Sequence, residues 1–233
     1  MGLSCDVLAL AALAALLGIA AGGFACSLAR WLLDREGLER PCALPRARAC
    51  GFVLALAWAS LTLRCGGSFE LIELALFSAA LVVLSATDFA ARLIPNACVG
   101  FAAAVRVAYL LLSGQAGELG RYAASAALLG GLLVLVGLLC DRLLGRDSIG
   151  WGDVKLLSVA ASYFGLIGGL LVTMLSCMLG VASWLFQAVR QRRRGSPGVE
   201  RAFAWGPAIS ASCWLAMLAG PKALSLFSAA LFG

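Results

Sequence analysis

Two aspartates stand apart among the twelve acidic residues of this chain, because each lies at the end of a long apolar run. Asp88 closes the run LFSAALVVLSATD, and Asp153 lies in GWGDVKLL, where another apolar run begins. Two carboxyl groups that share a site cannot both ionise cheaply, so one keeps a proton while the other acts as a base. Aspartyl peptide hydrolysis requires such a pair: the base activates a water and the acid hydrogen-bonds the scissile carbonyl. We therefore predict a catalytic pair that needs no metal and no cofactor.

Each aspartate also has a structural interpretation. Asp88 lies four residues before Arg92, a separation that suits a salt bridge, although a carboxylate at a helix C-terminus faces the unfavourable end of the helix dipole. Asp153 has the position of an ordinary N-cap. Lys155 is explained either by snorkelling to the membrane interface or by an effect on the protonation of a nearby carboxylate.

Small residues and prolines surround both aspartates. Gly150 and Gly152 lack side chains, so the backbone can take unusual dihedral angles there and a substrate chain can approach closely. Pro95 is interpreted as a helix breaker or as a first-turn residue of the next helix. Gly206 and Pro207, in the late segment AFAWGPAISASCWL, are interpreted as structural.

The other acidic residues and the cysteines are predicted to have no chemical role. Most of the remaining acids begin a span, lie in a loop or lie among arginines, and these are predicted to be solvated: Asp34, Glu36, Glu39, Glu70, Glu73, Glu118 and Glu200. The nine cysteines are mostly scattered singly in apolar runs as small buried hydrophobic residues, and we predict no disulfide framework. Cys42 and Cys50 share a polar loop but lack the paired C-x-x-C spacing of a zinc ribbon, so no metal site is predicted.

The absence of histidine from the sequence excludes Ser-His and Cys-His nucleophilic mechanisms as well as HExxH zinc chemistry. Hydrolytic chemistry must then rest on carboxylates, lysine or serine.

The elements that position the aspartates are predicted to be membrane helices. The chain is 62% hydrophobic and 13% charged, which is more apolar surface than a soluble core of 233 residues can bury. A spanning helix needs about 20 apolar residues. We predict an all-α, polytopic transmembrane bundle forming one domain, 1–233, with spans at 7–29, 50–63, 71–87, 97–113, 122–140, 154–166, 167–189 and 203–219 and a short tail at 221–232. Because only the Gly-rich turn FGLIGG separates the sixth and seventh runs, the count is seven or eight.

The basic residues predict the orientation. Segments 30–48 and 190–201 are rich in arginine, so the positive-inside rule places them in the cytoplasm. Counting spans then places the loops near 88–96 and 141–153, which hold the aspartates, on the same face. The net charge of +6 is explained by this topology, so the predicted partner is the lipid bilayer and not nucleic acid.

Three segments resemble the type IV prepilin peptidases, the leader peptidases of the GxGD aspartyl protease group. GWGDVKLL is similar to their catalytic GxGD motif, TDFAARLIPN to their first catalytic segment, and FAWGPAISA to their late F-G-P segment. The resemblance implies a multi-pass inner-membrane peptidase that cleaves the basic leader from prepilins or pseudopilins at the cytoplasmic face, with Asp88 and Asp153 catalytic.

The sequence departs from the larger members of that family in its first loop. Those enzymes carry two C-x-x-C pairs in a metal-binding loop and also methylate the new pilin N-terminus. Here the loop is only about 20 residues long, at 30–48, and the cysteines at this part of the chain are the lone Cys42 and Cys50, which favours a peptidase without methyltransferase activity. The alternative from another class is a proton-coupled transporter or channel that uses the same aspartates.

Overall fold

The computed structural model describes residues 5–37, 44–145, 149–193 and 204–232, and these residues form helices and connecting loops without strands. The helices are α1 (Cys5–Arg35), α2 (Ala47–Cys65), α3 (Phe69–Ala91), α4 (Asn96–Leu112), α5 (Leu119–Leu144), α6 (Trp151–Arg193) and α7 (Gly206–Phe232), and a 3-10 turn at Ala116–Glu118 leads into α5. The predicted all-helical class is confirmed.

The lengths of these helices bear on the predicted spans. Five helical segments in the described part of the chain are long and apolar enough to cross a membrane: α1, α2, α3, α5 with its preceding 3-10 turn, and α6. The apolar helices Asn96–Leu112 and Gly206–Gly220 are shorter. A multi-pass membrane architecture is therefore supported, whereas the predicted count of seven or eight spans is not confirmed.

A glycine divides α6 into two arms. Gly165 has φ 72° and ψ 177°, a conformation that is essentially restricted to glycine. A Cβ placed on Gly169 would lie 2.8 Å from the Cβ of Ala161, although residues eight apart in a continuous helix are separated by about 12 Å. The chain therefore folds back at Gly165, and the predicted break between 154–166 and 167–189 is confirmed. We call residues 151–164 the first arm of α6.

A second break lies in α7, where Gly220 has φ 70° and ψ 172°. The predicted span 203–219 and the predicted tail 221–232 lie on either side of it. The tail is helical and is part of α7.

Helices α1 and α2 pack backbone against backbone. A Cβ placed on Gly22 would lie 2.2 Å from the backbone of Gly51, and one on Gly18 would lie 2.7 Å from the backbone of Ala55. Small residues let membrane helices approach closely, so van der Waals packing can hold the pair together.

The bundle is arranged around α3. This helix packs against α1, α2, α4 and α7, while α6 packs against α4, α5 and α7. The buried side chains of α3 include Phe77, Leu81 and Leu84. The helix that carries Asp88 is thus at the centre of the bundle, and the helix that carries Asp153 packs against three other helices.

The loops differ from the prediction in one respect. Helix α1 continues to Arg35, so the first loop is shorter than the predicted segment 30–48. Glu39, Cys42 and Glu200 lie outside the described residues, as does most of segment 190–201. The side of the membrane that these loops face stays a prediction.

Candidate active site

The carboxylate of Asp88 lies at the junction of two helices. Asp88 is in the last turn of α3 and is 5% exposed. Its Oδ2 accepts a hydrogen bond of 2.7 Å from the backbone N–H of Gly206, the first residue of α7. The first N–H groups of a helix have no partner within the helix, and the N-terminus is the positive end of the helix dipole. Helix α7 therefore compensates for the unfavourable dipole of α3 that Asp88 faces.

Gly206 is in van der Waals contact with Asp88. A Cβ placed on Gly206 would lie 2.8 Å from Oδ2 and 2.9 Å from Cβ of Asp88. The sequence interpretation of Gly206 as a structural residue is therefore incomplete, because its lack of a side chain makes room for the carboxylate.

Arg92 ends helix α3. It has a left-handed backbone (φ 54°, ψ 39°), its N–H donates to the carbonyl oxygen of Asp88 at 2.8 Å, and its side chain is exposed. Between these two described residues there is no ion pair. The interpretation of Asp88 as the partner of Arg92 in a salt bridge is therefore wrong, because the helix ends before Arg92.

Asp153 lies in the first turn of α6. The helix begins at Trp151, and the N–H of Val154 donates to the carbonyl oxygen of Gly150 at 3.1 Å. Asp153 is therefore inside the helix, and its interpretation as the N-cap is wrong. Its Oδ1 is buried and has no hydrogen-bond partner among the described residues, which is uncommon for a buried polar atom.

The helix ends that carry the two aspartates lie side by side, because a Cβ placed on Gly152, the residue before Asp153, would lie 2.8 Å from the Cβ of Ile94, six residues after Asp88. The positions of the aspartates along their helices agree with this proximity. The rings of Phe77 on α3 and Tyr163 on α6 stack with centroids 3.9 Å apart. Asp88 follows Phe77 by 11 residues, and Asp153 precedes Tyr163 by 10. At 1.5 Å per residue the aspartates are about 16 and about 15 Å from the stack, so they lie at the same level of the bundle.

The two glycines of GWGD provide room for their neighbours. A Cβ placed on Gly150 would lie 2.7 Å from Oδ2 of Asp153, and one on Gly152 would lie 2.8 Å from the Cβ of Ile94. Neither glycine has a positive φ. The expectation of unusual dihedral angles is therefore wrong for φ, and close approach explains these glycines better.

Lys155 joins α6 to the start of α4, and Pro95 lies just before that start. The Nζ of Lys155 donates to Oδ1 of Asn96 at 3.0 Å, and no ion pair joins Lys155 to either aspartate in the part of the chain that the structure describes. Pro95 immediately precedes α4 and accepts the first backbone hydrogen bonds of that helix, as expected for a residue at a helix start.

One acidic residue lies in an environment that the sequence interpretation missed. Glu73 was predicted to be solvated, but it is 4% exposed and forms an ion pair of 2.8 Å with Arg106, which is 7% exposed. The prediction is wrong because tertiary packing encloses the side chain of Glu73, although Phe69 and Ile72 on the same turns are exposed. A lone arginine inside the apolar run 97–113 was the available signal, since a charge within a membrane span is costly without a partner.

Two cavities lie next to the helix ends that carry the aspartates, although neither aspartate lines them. A groove of about 460 Å³ runs between α2, α3 and α7 beside Asp88, with a wall that includes Ser85, Phe89 and Pro207. A cavity of about 310 Å³ lies between α5 and the start of α6, lined in part by Gly150 and Val154. Among the described residues, no three Cys, Asp or Glu side chains come together as metal ligands.

Comparison with known proteins identifies one family. Residues 75–185, just under half of the chain, match the sequence model of the type IV leader peptidase family. The matched region contains both aspartates but ends before Gly206. No curated protein and no solved structure matches the chain. The resemblance seen in the motifs is thus confirmed for this region, and the match supports a peptidase and not the transporter alternative.

Proposed function

We propose that this chain, whose residues 75–185 match the type IV leader peptidase family, is a membrane aspartyl endopeptidase with Asp88 and Asp153 as its catalytic pair. The observation that carries the proposal is that Asp88, which is 5% exposed, and Asp153, whose Oδ1 is buried, lie at one level of the bundle on helix ends that touch at Gly152 and Ile94. Paired carboxyl groups of this kind can divide the roles of acid and base between them.

The surroundings of the two carboxyl groups suggest which role each has. Asp88 accepts the N–H of Gly206 at the N-terminus of α7, and both the charge-assisted hydrogen bond and the helix dipole stabilise a carboxylate. We assign it the base. Asp153 has a buried Oδ1 without a described partner, so it is assigned the acid that donates a proton to the scissile carbonyl oxygen.

Hydrolysis then proceeds by proton transfer without a covalent enzyme intermediate. The Asp88 carboxylate takes a proton from a water whose oxygen bonds to the peptide carbon, while Asp153 protonates the carbonyl oxygen. When the tetrahedral intermediate collapses, the C–N bond breaks, the amine leaves with the proton held by Asp88, and the hydroxyl returns its proton to Asp153. The pair is regenerated, and the products are a carboxylic acid and an amine.

The substrate is proposed from the resemblance: a prepilin or pseudopilin, cleaved at the cytoplasmic face of the inner membrane between its basic leader and its apolar helix. The arginine-rich segments support this orientation. The apolar groove beside Asp88 supports an apolar substrate segment. The shortness of the segment between Arg35 and Ala47 supports a peptidase without methyltransferase activity.

A cleavage assay in membranes tests the proposal. The protein is co-expressed with a candidate prepilin, and loss of the leader is followed as a mobility shift. We expect Asp88→Asn and Asp153→Asn each to lower the cleavage rate at least about 100-fold, since a positioned acid or base contributes that much or more. Asp6→Asn, an exposed change in the first turn of α1, is the matched control and should cleave normally. Normal cleavage by either active-site variant, inserted at wild-type levels, would refute the catalytic pair.

A further inference from the structure

A group of buried contacts joins α3, α4 and the first arm of α6 at a level well away from the aspartates. We call this group the buried clamp and define it as Glu73 and Phe77 of α3, Arg106 of α4, and Ser162 and Tyr163 of α6. Nothing in the proposed chemistry uses these residues, because the nearest aspartate is about 15 Å away along its helix.

Arg106 connects three helices. Its Nη1 donates to Oε1 of Glu73 at 2.8 Å, and its Nε donates to the carbonyl oxygen of Ser162 at 2.8 Å. The guanidinium also lies 4.2 Å from the ring centroid of Tyr122 on α5. The side chains of the ion pair are 9% and 2% exposed, and both residues also line a cavity of about 710 Å³ between the helices. One side chain of α4 therefore fixes α3 relative to α6.

Tyr163 makes a second connection at the same level. Its ring stacks on Phe77 with an interplanar angle of 9°, and its hydroxyl donates to the carbonyl oxygen of Ala102 on α4 at 2.7 Å. The first arm of α6 is thus held to α3 by the stack and to α4 by a buried hydrogen bond.

A small tilt of a helix at the clamp becomes a larger displacement at the aspartates. Asp88 and Asp153 are about 16 and about 15 Å from the Phe77–Tyr163 stack along nearly rigid helices. A tilt of about 4° of one helix about the clamp would move its carboxyl group by about 1 Å. Errors of about 1 Å in the placement of reacting groups cost about 100-fold in rate. Small changes in the clamp are therefore expected to change the reaction rate.

The chemistry of the clamp favours a geometric purpose over a stabilising one. Replacing a buried ion pair by well-packed apolar residues is often neutral or stabilising, so such a pair is weak grounds for stability alone. The hydrogen-bonded ion pair has its lowest energy in one arrangement of the helices, whereas apolar contacts tolerate small shifts.

We infer that Glu73 and Arg106 are positioning residues that set the separation of Asp88 and Asp153 by fixing α3 against the first arm of α6. The inference rests on the proposed function, since it gives these two carboxyl groups a shared role. The ion pair touches neither the substrate nor the reacting atoms.

Kinetics of three variants test the inference. In Arg106→Gln we expect kcat for prepilin cleavage to fall about 10-fold or more while KM stays within about twofold, because substrate contacts are intact but the aspartates are misplaced. Arg106→Lys keeps a charge for Glu73 and should recover part of kcat. Leu110→Ala removes a fully buried side chain of the same helix and should lower the melting temperature without a comparable fall in kcat.

A distance measurement tests the clamp independently of activity. Spin labels are attached at the exposed positions 89 on α3 and 151 on α6, as Phe89→Cys and Trp151→Cys in a background without other cysteines. We expect Arg106→Gln to broaden or shift the distance distribution. If that variant does not insert, Glu73→Gln removes the other charge of the same ion pair at nearly the same side-chain size, and should change the distance distribution in the same direction.

The outcomes separate the two proposals. If the wild-type protein cleaves no prepilin, the proposed substrate class fails, while the spin-label distances still decide whether the clamp sets the geometry. If the wild-type protein cleaves and Arg106→Gln, or Glu73→Gln in its place, keeps both the wild-type kcat and the wild-type distance distribution, the inference is wrong. The inference would also be wrong if Arg106→Gln and Leu110→Ala lowered the melting temperature equally and lowered kcat equally. Loss of stability alone would then explain the slower cleavage.

Discussion

Substitution of a glycine that is far from Asp88 in sequence should reduce catalysis by moving that carboxylate. Gly206 lies 118 residues after Asp88 and donates its N–H to Oδ2 at 2.7 Å. In Gly206→Ala the new methyl group would lie 2.8 Å from Oδ2 and 3.0 Å from Cγ of Asp88. Real Cβ contacts are longer, so the carboxylate or the start of α7 must move by several tenths of an ångström, and the hydrogen bond lengthens.

The size of the effect follows from the bond that is weakened. A hydrogen bond to a charged group contributes about 1.5–3 kcal/mol. If the reaction loses this interaction with the Asp88 carboxylate, kcat/KM should fall about 10- to 150-fold, since about 1.4 kcal/mol corresponds to a factor of ten. Overpacking should also lower the free energy of unfolding by about 1–3 kcal/mol.

The assay compares prepilin cleavage by Gly206→Ala and by Gly131→Ala in the same membranes. Gly131 lies within α5, and a Cβ there would meet nothing within 4 Å, so this control should cleave at the wild-type rate. Cleavage by Gly206→Ala at the wild-type rate would refute the reasoning, because it would mean that the hydrogen bond from α7 does not hold Asp88 in its working position.

Two further predictions concern folding. Gly22→Ala should lower the melting temperature strongly or prevent insertion, because its Cβ would lie 2.2 Å from the backbone of α2. The control is the neighbouring change Gly23→Ala, whose Cβ would meet nothing within 4 Å, and this variant should melt like the wild type. Gly165→Ala should destabilise the protein by about 1–3 kcal/mol, measured as a shift in the denaturation midpoint, because φ 72° with ψ 177° strains any residue that has a Cβ. An unchanged melting temperature in Gly22→Ala would contradict the close contact between α1 and α2. An unchanged midpoint in Gly165→Ala would contradict the positive φ at that residue.

Much of the fold was predictable because lipid restricts the possible structures. With no water to satisfy backbone groups, a long apolar run can cross a membrane only as a helix or as part of a closed barrel, so the apolar runs alone indicated the helices. The break at Gly165 was also predictable, since a Gly-rich turn interrupts an otherwise continuous apolar run. Helix ends were less accurate: α1 continues to Arg35, because polar residues at a membrane surface can extend a helix.

The candidate site was predictable in its residue types and not in its contacts. Asp88 and Asp153 each have an ordinary structural explanation, and they were identified because two carboxyl groups at helix ends could share one site. Their structural interpretations could be rejected only from the structure: α3 ends before Arg92, which has a left-handed backbone and, among the described residues, no ion pair to Asp88, and α6 begins before Asp153. The catalytic role itself stays a proposal that the cleavage assay tests.

The sequence by itself determined the chemistry available to this protein: a chain without histidine, with two aspartates at helix ends and a region that matches the type IV leader peptidases. Only the tertiary structure decided which distant groups act on those aspartates. The N–H of Gly206 reaches Asp88 across 118 residues, and Arg106 joins Glu73 to the carbonyl of Ser162. The physical reason is that periodicity and composition report the preferences of each segment for lipid or water, whereas hydrogen bonds and ion pairs between helices depend on how those segments pack.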